Sequence, residues 1–116
     1  SINLILQPIV ENAIEHGIEK EPNKRGLIHI KAWTEKRDQE SVIKITVFNT
    51  GPSISADIAD EVLTNPNLGY GLANVNSRLK LSYGQAYGVS IRPVKGGTLC
   101  LICLPAIRWN SDEQNS

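Results

Sequence analysis

Residues 27–49 are LIHIKAWTEKRDQESVIKITVFN. Ile28, Ile30 and Ala32 alternate with His29, Lys31 and Trp33. After the polar residues Asp38 to Glu40, Ile43, Ile45 and Val47 alternate again. Alternation at period two marks a strand with one covered face, and two such runs around a short polar turn predict a β-hairpin.

Working outward, Ile2, Ile5, Leu6, Ile9, Val10, Ala13 and Ile14 recur at helical spacing, which predicts a helix to about His16 with Gly17 as its stop. EKEPNKRG, which follows, has no periodicity and reads as a loop. On the other side of the hairpin, SADIADEVL predicts a short helix with Ser55 as N-cap and Asp57 in its first turn. TNPNLGYG reads as a loop. Leu72, Val75, Leu79 and Leu81 then predict another helix, stopped at Gly84. YGVSIRPVKGGTLCLICLP predicts two strands joined around Lys95, Gly96 and Gly97, and the polar residues after Pro105 form a fraying tail. The expectation is an α+β domain over residues 1–105, with about three helices on one face of a mixed, mainly antiparallel sheet.

The whole chain has 116 residues, which suits one core. Its 12 Lys+Arg balance 12 Asp+Glu, so it lacks the basic footprint that non-specific nucleic-acid binding needs. It has no apolar run near the roughly 20 residues that span a bilayer and no basic leader, which predicts a soluble domain. Cys100 and Cys103 are three apart in a predicted strand, on opposite faces, so they cannot pair with each other; they read as core residues of a protein kept in a reducing compartment. The chain starts at Ser1 and contains no Met, which suggests a domain excised from a longer protein.

Four polar features interrupt this pattern. Asn12 lies mid-helix with His16 one turn further along the same face. Either this is a solvated stripe with Gln7, Glu11 and Glu15, or it is a site. Asn49 continues the odd-numbered face of Ile43, Ile45 and Val47 and aims an amide at the core side; unpartnered it would cost about 1–3 kcal/mol, so it should meet protein or ligand. Thr98 directly precedes the apolar run of the last strand. Gly69 and Gly71 open a helix, where free amides and the helix dipole suit phosphate. The full dinucleotide Gly-x-Gly-x-x-Gly pattern is absent, and no strand feeds this turn.

Taken in order, LQPIVENAIEHG, ITVFNTGPSI, GYGLANVNSRLKLSYG and GGTLCLICLP resemble the boxes of a bacterial sensor histidine kinase ATP-binding domain, of the LytS/YehU-like or YesM-like membrane kinases. The resemblance covers about residues 3 to 105. It implies the Bergerat α/β sandwich shared with gyrase, Hsp90 and MutL, with ATP and Mg²⁺ as cofactors. Carried over by position, it implies that Asn12 ligates Mg²⁺ and His16 contacts phosphate. Asn49, Gly51 and Thr98 match the adenine-reading cluster, and Gly69, Gly71 and Leu72 match the phosphate turn, with a short lid between Ile54 and Gly69.

The sequence also departs from the family pattern. Asn49 replaces the usual Asp, which keeps a carbonyl acceptor but gives up a charge-assisted bond. Ser53 replaces a glycine, Glu15 stands where many kinases carry Lys, and Pro8 stands where gyrase-type ATPases carry a catalytic Glu. Without that base water activation is disfavoured, while phosphoryl transfer to histidine, which needs mainly positioning, remains open.

The resemblance implies transfer of the γ-phosphoryl of Mg-ATP to a histidine on an upstream dimerisation domain; this stretch holds no catalytic residue of its own. The implied partners are that domain, a response regulator and a second copy of the full-length chain, with no nucleic acid and no direct membrane contact. The implied place is the cytoplasmic side of an inner-membrane sensor. The alternative is a catalytically weakened, pseudokinase-like nucleotide-binding module.

Overall fold

The computed structural model describes residues 2–16, 26–52, 54–65 and 71–106. Three helices, α1 (Ile2–His16), α2 (Ala56–Val62) and α3 (Leu72–Tyr83), accompany four strands, β1 (Ile28–Arg37), β2 (Glu40–Thr50), β3 (Gly88–Val94) and β4 (Gly97–Pro105). The strand order is β1-β2-β4-β3, and every pairing among the described residues is antiparallel. Gly17 and most of the first predicted loop lie outside the described residues.

The expected hairpin forms, with Arg37 opposite Glu40 and Ile28 opposite Asn49. Asp38 supplies the turn's positive φ of 54°, a conformation that Asp tolerates better than bulkier residues. The inner face of the sheet carries Ile45 and Val47 of β2, Cys100, Ile102 and Leu104 of β4, and Val89 and Ile91 of β3. Against it pack Ile9 and Ala13 of α1, Ala59 and Val62 of α2, and Leu72, Val75 and Leu79 of α3. Burying each large aliphatic side chain here contributes roughly 1.5–3 kcal/mol. Cys100 and Cys103 are free, buried and on opposite faces as the spacing required. Burial alone pushes the Cys100 thiol up to about 12, leaving it un-ionised at neutral pH.

Three expectations about faces need correcting. Strand β1 alternates in sequence, yet it is exposed along nearly its whole length, with Ile30 at 47%. The helices cover β2, β4 and β3 and stop short of this edge, so alternation reported a strand without a lid over it. Leu81 is 87% exposed because it is two residues after Leu79, off the Leu72, Val75, Leu79 stripe. Ile14 likewise stands at the margin of the α1 stripe, 40% exposed.

Helix ends follow their chemistry. The Ser55 hydroxyl accepts from the Ile58 amide at 3.2 Å to cap α2. Gly84 stops α3, its amide donating to the Lys80 carbonyl at 2.9 Å. Between β3 and β4, Gly96 takes the left-handed turn at φ 84°.

Candidate functional site

Asn12 does not belong to a solvated stripe. It is 8% exposed and lies beside the buried Ile9 and Ala13, whereas Gln7, Glu11 and Glu15 face solvent. The solvated-stripe reading therefore holds for those three residues and fails for Asn12. Its Oδ1 is buried and accepts no hydrogen bond from any described residue. A buried amide oxygen left unmet costs about 1–3 kcal/mol, a penalty that a ligand at this position can relieve.

Next to this helix face lies the start of α3. Gly71 is its N-cap, left-handed at φ 76°, and among the described residues a side chain added there would meet Cβ of Pro8, at 3.9 Å. Pro8 is one turn before Asn12 on α1, so the α3 N-terminus and Asn12 share one side of the molecule. The Leu72 side chain is fully buried in the core; what it can offer a ligand is its backbone amide, in the first helical turn where amides lack a partner within the helix. His16 ends α1. Its side chain, Gly69 and Ser53 lie outside the described residues.

A second group gathers at the ends of β2 and β4. Asn49 and Thr98 are cross-strand partners on the inner face, and both are buried. Asn49 Nδ2 donates to the Thr50 carbonyl at 3.0 Å. That bond fixes the amide: a flipped side chain would set two carbonyl oxygens against each other, so Oδ1 is the atom directed away from Thr50. Thr98 Oγ1 accepts from the Ile54 amide at 3.1 Å, which holds down the chain after Asn49. The Gly51 amide donates to the Gly96 carbonyl at 3.2 Å, with φ at 124°. Helix α1 packs on both β2 and α3 and so joins the two groups. Of the predicted lid, residues 56–62 form α2, which is rooted in the core by Ala59 and Val62; the residues just before Gly71 lie outside the described set.

Two positions, one glycine and one asparagine, escape the sequence reading. The sequence places Gly97 in a turn, yet Gly96 makes the turn, and a Cβ on Gly97 would fall far inside the Asn49 carbonyl oxygen and 2.9 Å from its carbon. The doubled glycine is the available signal. Asn76 is buried on the Leu72, Val75, Leu79 stripe, and the argument that singles out Asn12 would find it too. The cavities lined by Lys80, Tyr87, Gly88 and Cys103, and by Arg37, Glu40 and Tyr87, lie towards the other ends of these strands and contain none of the candidate residues.

Gly71→Val tests the turn. The expected harm comes from the backbone, because a β-branched residue is an outlier at positive φ while the space beside Pro8 is open. The variant should lose about 1–2 kcal/mol of stability, read by thermal denaturation, with Gly71→Ala less affected. Equal melting temperatures for all three proteins would contradict the left-handed cap.

Comparison with known proteins agrees with this architecture. Residues 1–108 match the family described as histidine kinase-, DNA gyrase B-, and HSP90-like ATPase, and the chain belongs to that family. Sensor histidine kinase YpdA of Escherichia coli is 35% identical over 105 residues, covering 89% of this chain and 17% of the relative. Sensor histidine kinase YesM of Bacillus subtilis is 34% identical over 104 residues, covering 88% and 16%. Sensor protein LytS of Streptococcus mutans is 32% identical over 113 residues, covering 93% and 19%. The chain thus spans under a fifth of each of these relatives. No solved structure matches. Family and relatives together support an ATP-binding function of the kinase type. Among the described residues, no helix is long and apolar enough to cross a membrane.

Proposed function

We propose that this chain is the ATP-binding catalytic domain of a sensor histidine kinase, comprising residues 1–105 with a polar tail over 106–116. It binds Mg-ATP and presents the γ-phosphoryl group to a histidine on an upstream dimerisation domain, within a homodimeric full-length sensor that passes the phosphoryl group to a response regulator. The observation that carries the reading is the unsatisfied Oδ1 of Asn12, buried beside the α3 N-terminus. An amide oxygen suits Mg²⁺, a hard cation that takes oxygen ligands and keeps several waters. Bound there, Mg²⁺ would supply charge that neutralises the triphosphate.

The chain's own groups divide the remaining work. Gly69, Gly71 and the Leu72 amide give the phosphates N–H donors at a helix N-terminus, where the dipole also favours anions. His16 adds a donor one turn beyond Asn12. Asn49 Oδ1 accepts from the adenine amino group, while Thr98 and Gly51 hold the turn around it. Pro8 leaves no general base at its position, which keeps water from being activated and fits transfer to histidine better than hydrolysis. The domain works on the cytoplasmic side of an inner-membrane sensor, and zero net charge gives it little hold on nucleic acid or an anionic bilayer.

A calorimetric titration of the domain with Mg-ADP tests this: saturable binding is expected, and no heat at millimolar nucleotide would defeat it. The neutral Asn49 favours one second reading, a nucleotide-binding signalling module without transfer. Full-length protein that binds Mg-ATP yet never forms acid-labile phosphohistidine would establish that alternative.

A further inference from the structure

The structure assigns to Asn76, helped by Lys80, the role of a positioning residue that sets where the α3 N-terminus stands relative to the sheet. This rests on the nucleotide reading above. Helix α3 packs on β3, and its Val75 and Leu79 share one buried aliphatic cluster with Val89 and Ile91, a non-directional packing that resists separation but resists sliding along the axis far less. Two side chains one helical turn apart add directional contacts. Asn76 is buried, and its Oδ1 accepts from the Val89 amide of β3 at 2.9 Å. Lys80 Nζ donates to the Gln85 carbonyl at 2.9 Å and the Tyr87 carbonyl at 3.0 Å.

Gly88 shows how closely this clamp is fitted. At φ 141° it leaves room that any side chain would fill: a Cβ there would lie 2.5 Å from Asn76 Oδ1 and 3.4 Å from Lys80 Nζ. Tyr83 and Tyr87 close the same loop edge to face, with centroids 6.4 Å apart. Strand β3 is bonded to β4, which carries Thr98 opposite Asn49. Gly71 lies five residues before Asn76, about 7.5 Å along the axis at 1.5 Å per residue. The clamp therefore ties the phosphate end of the site to its adenine end through one helix and two strands. Without it, α3 slides, and the amides at Gly71 and Leu72 leave the phosphates while the Asn49 and Thr98 end keeps its shape.

Calorimetry with Mg-ADP and with adenosine, on wild type, Asn76→Ala, Asn76→Asp and Gly88→Ala, tests the role. Asn76→Ala should weaken Mg-ADP about tenfold and adenosine less than twofold. Asn76→Asp keeps an acceptor for the Val89 amide beside the Lys80 ammonium and should restore Mg-ADP affinity to within threefold. Gly88→Ala, which displaces the Asn76 amide from the other side, should behave as Asn76→Ala. Equal weakening of both ligands, or unchanged Mg-ADP affinity in the folded Asn76→Ala protein, overturns the positioning role and leaves the nucleotide reading standing. Wild type that binds neither ligand overturns both.

Discussion

Asn12→Ala should lose at least tenfold in Mg-ADP affinity, about 1.4 kcal/mol, while its melting temperature stays level or rises. The two halves of this result come from one observation. Oδ1 is buried without a partner among the described residues, so removing the amide also removes its desolvation cost, about 1–3 kcal/mol. The small void left by truncation offsets part of that gain. A residue kept for packing would give the opposite pattern, with stability lost and affinity kept. Titrations with and without Mg²⁺, beside thermal denaturation, separate the cases: the affinity loss should vanish when Mg²⁺ is withheld. A variant that melts several degrees lower and binds Mg-ADP normally would show Asn12 to be a structural residue.

Gly97→Ala should damage the fold severely for the addition of a single methyl group. The added Cβ runs into the Asn49 carbonyl and approaches Thr50 Cα to 3.1 Å, and backbone of a central strand pair cannot move aside as a side-chain end can. Overpacking of this kind costs about 3 kcal/mol, which for a domain near this size lowers the melting temperature by roughly 12 °C. The same displacement pushes Asn49 and Thr98 apart, so nucleotide affinity should fall in whatever fraction remains folded. Gly96→Ala is the control: its Cβ would meet nothing within 4 Å, and only its positive φ, 84°, is strained. A Gly97→Ala protein as stable as wild type would mean that β2 and β4 lie further apart than this register places them.

The element order was legible because it rests on local periods. The spacing of Leu72, Val75 and Leu79 is a property of neighbours in sequence, and so is the alternation of Ile43, Ile45 and Val47. Extent of cover was not legible, because it depends on how many helices reach each strand; Ile30 looks as internal as Ile45 in sequence and is half exposed. In the candidate site, Asn49 is legible as a polar residue in an apolar phase, Asn12 is legible only as one of two readings, and Thr98 stands out only through the family resemblance; the structure buries all three. What Thr98 holds could not be foreseen, since its bond to Ile54 joins residues 44 apart. Gly97 and Asn76 left a trace in the sequence, a doubled glycine and a polar residue on an apolar stripe, but what each one meets, the Asn49 carbonyl of β2 and the Val89 amide of β3, is set by the fold.

Strand β4 is the last of the described strands and yet sits inside the sheet, between β2 and β3. During synthesis, which proceeds from the N-terminus at about 5–20 residues per second, the hairpin and all three helices emerge before the strand that joins them. Until residues 97–105 follow, Ile45 and Val47 have no strand beside them on that side, and the two halves of the site are linked through α1 without the continuous sheet that fixes their spacing. The nascent domain therefore waits with apolar surface uncovered, and the nine-residue β4 closes the sheet and completes the Asn49 and Thr98 pair in the same event.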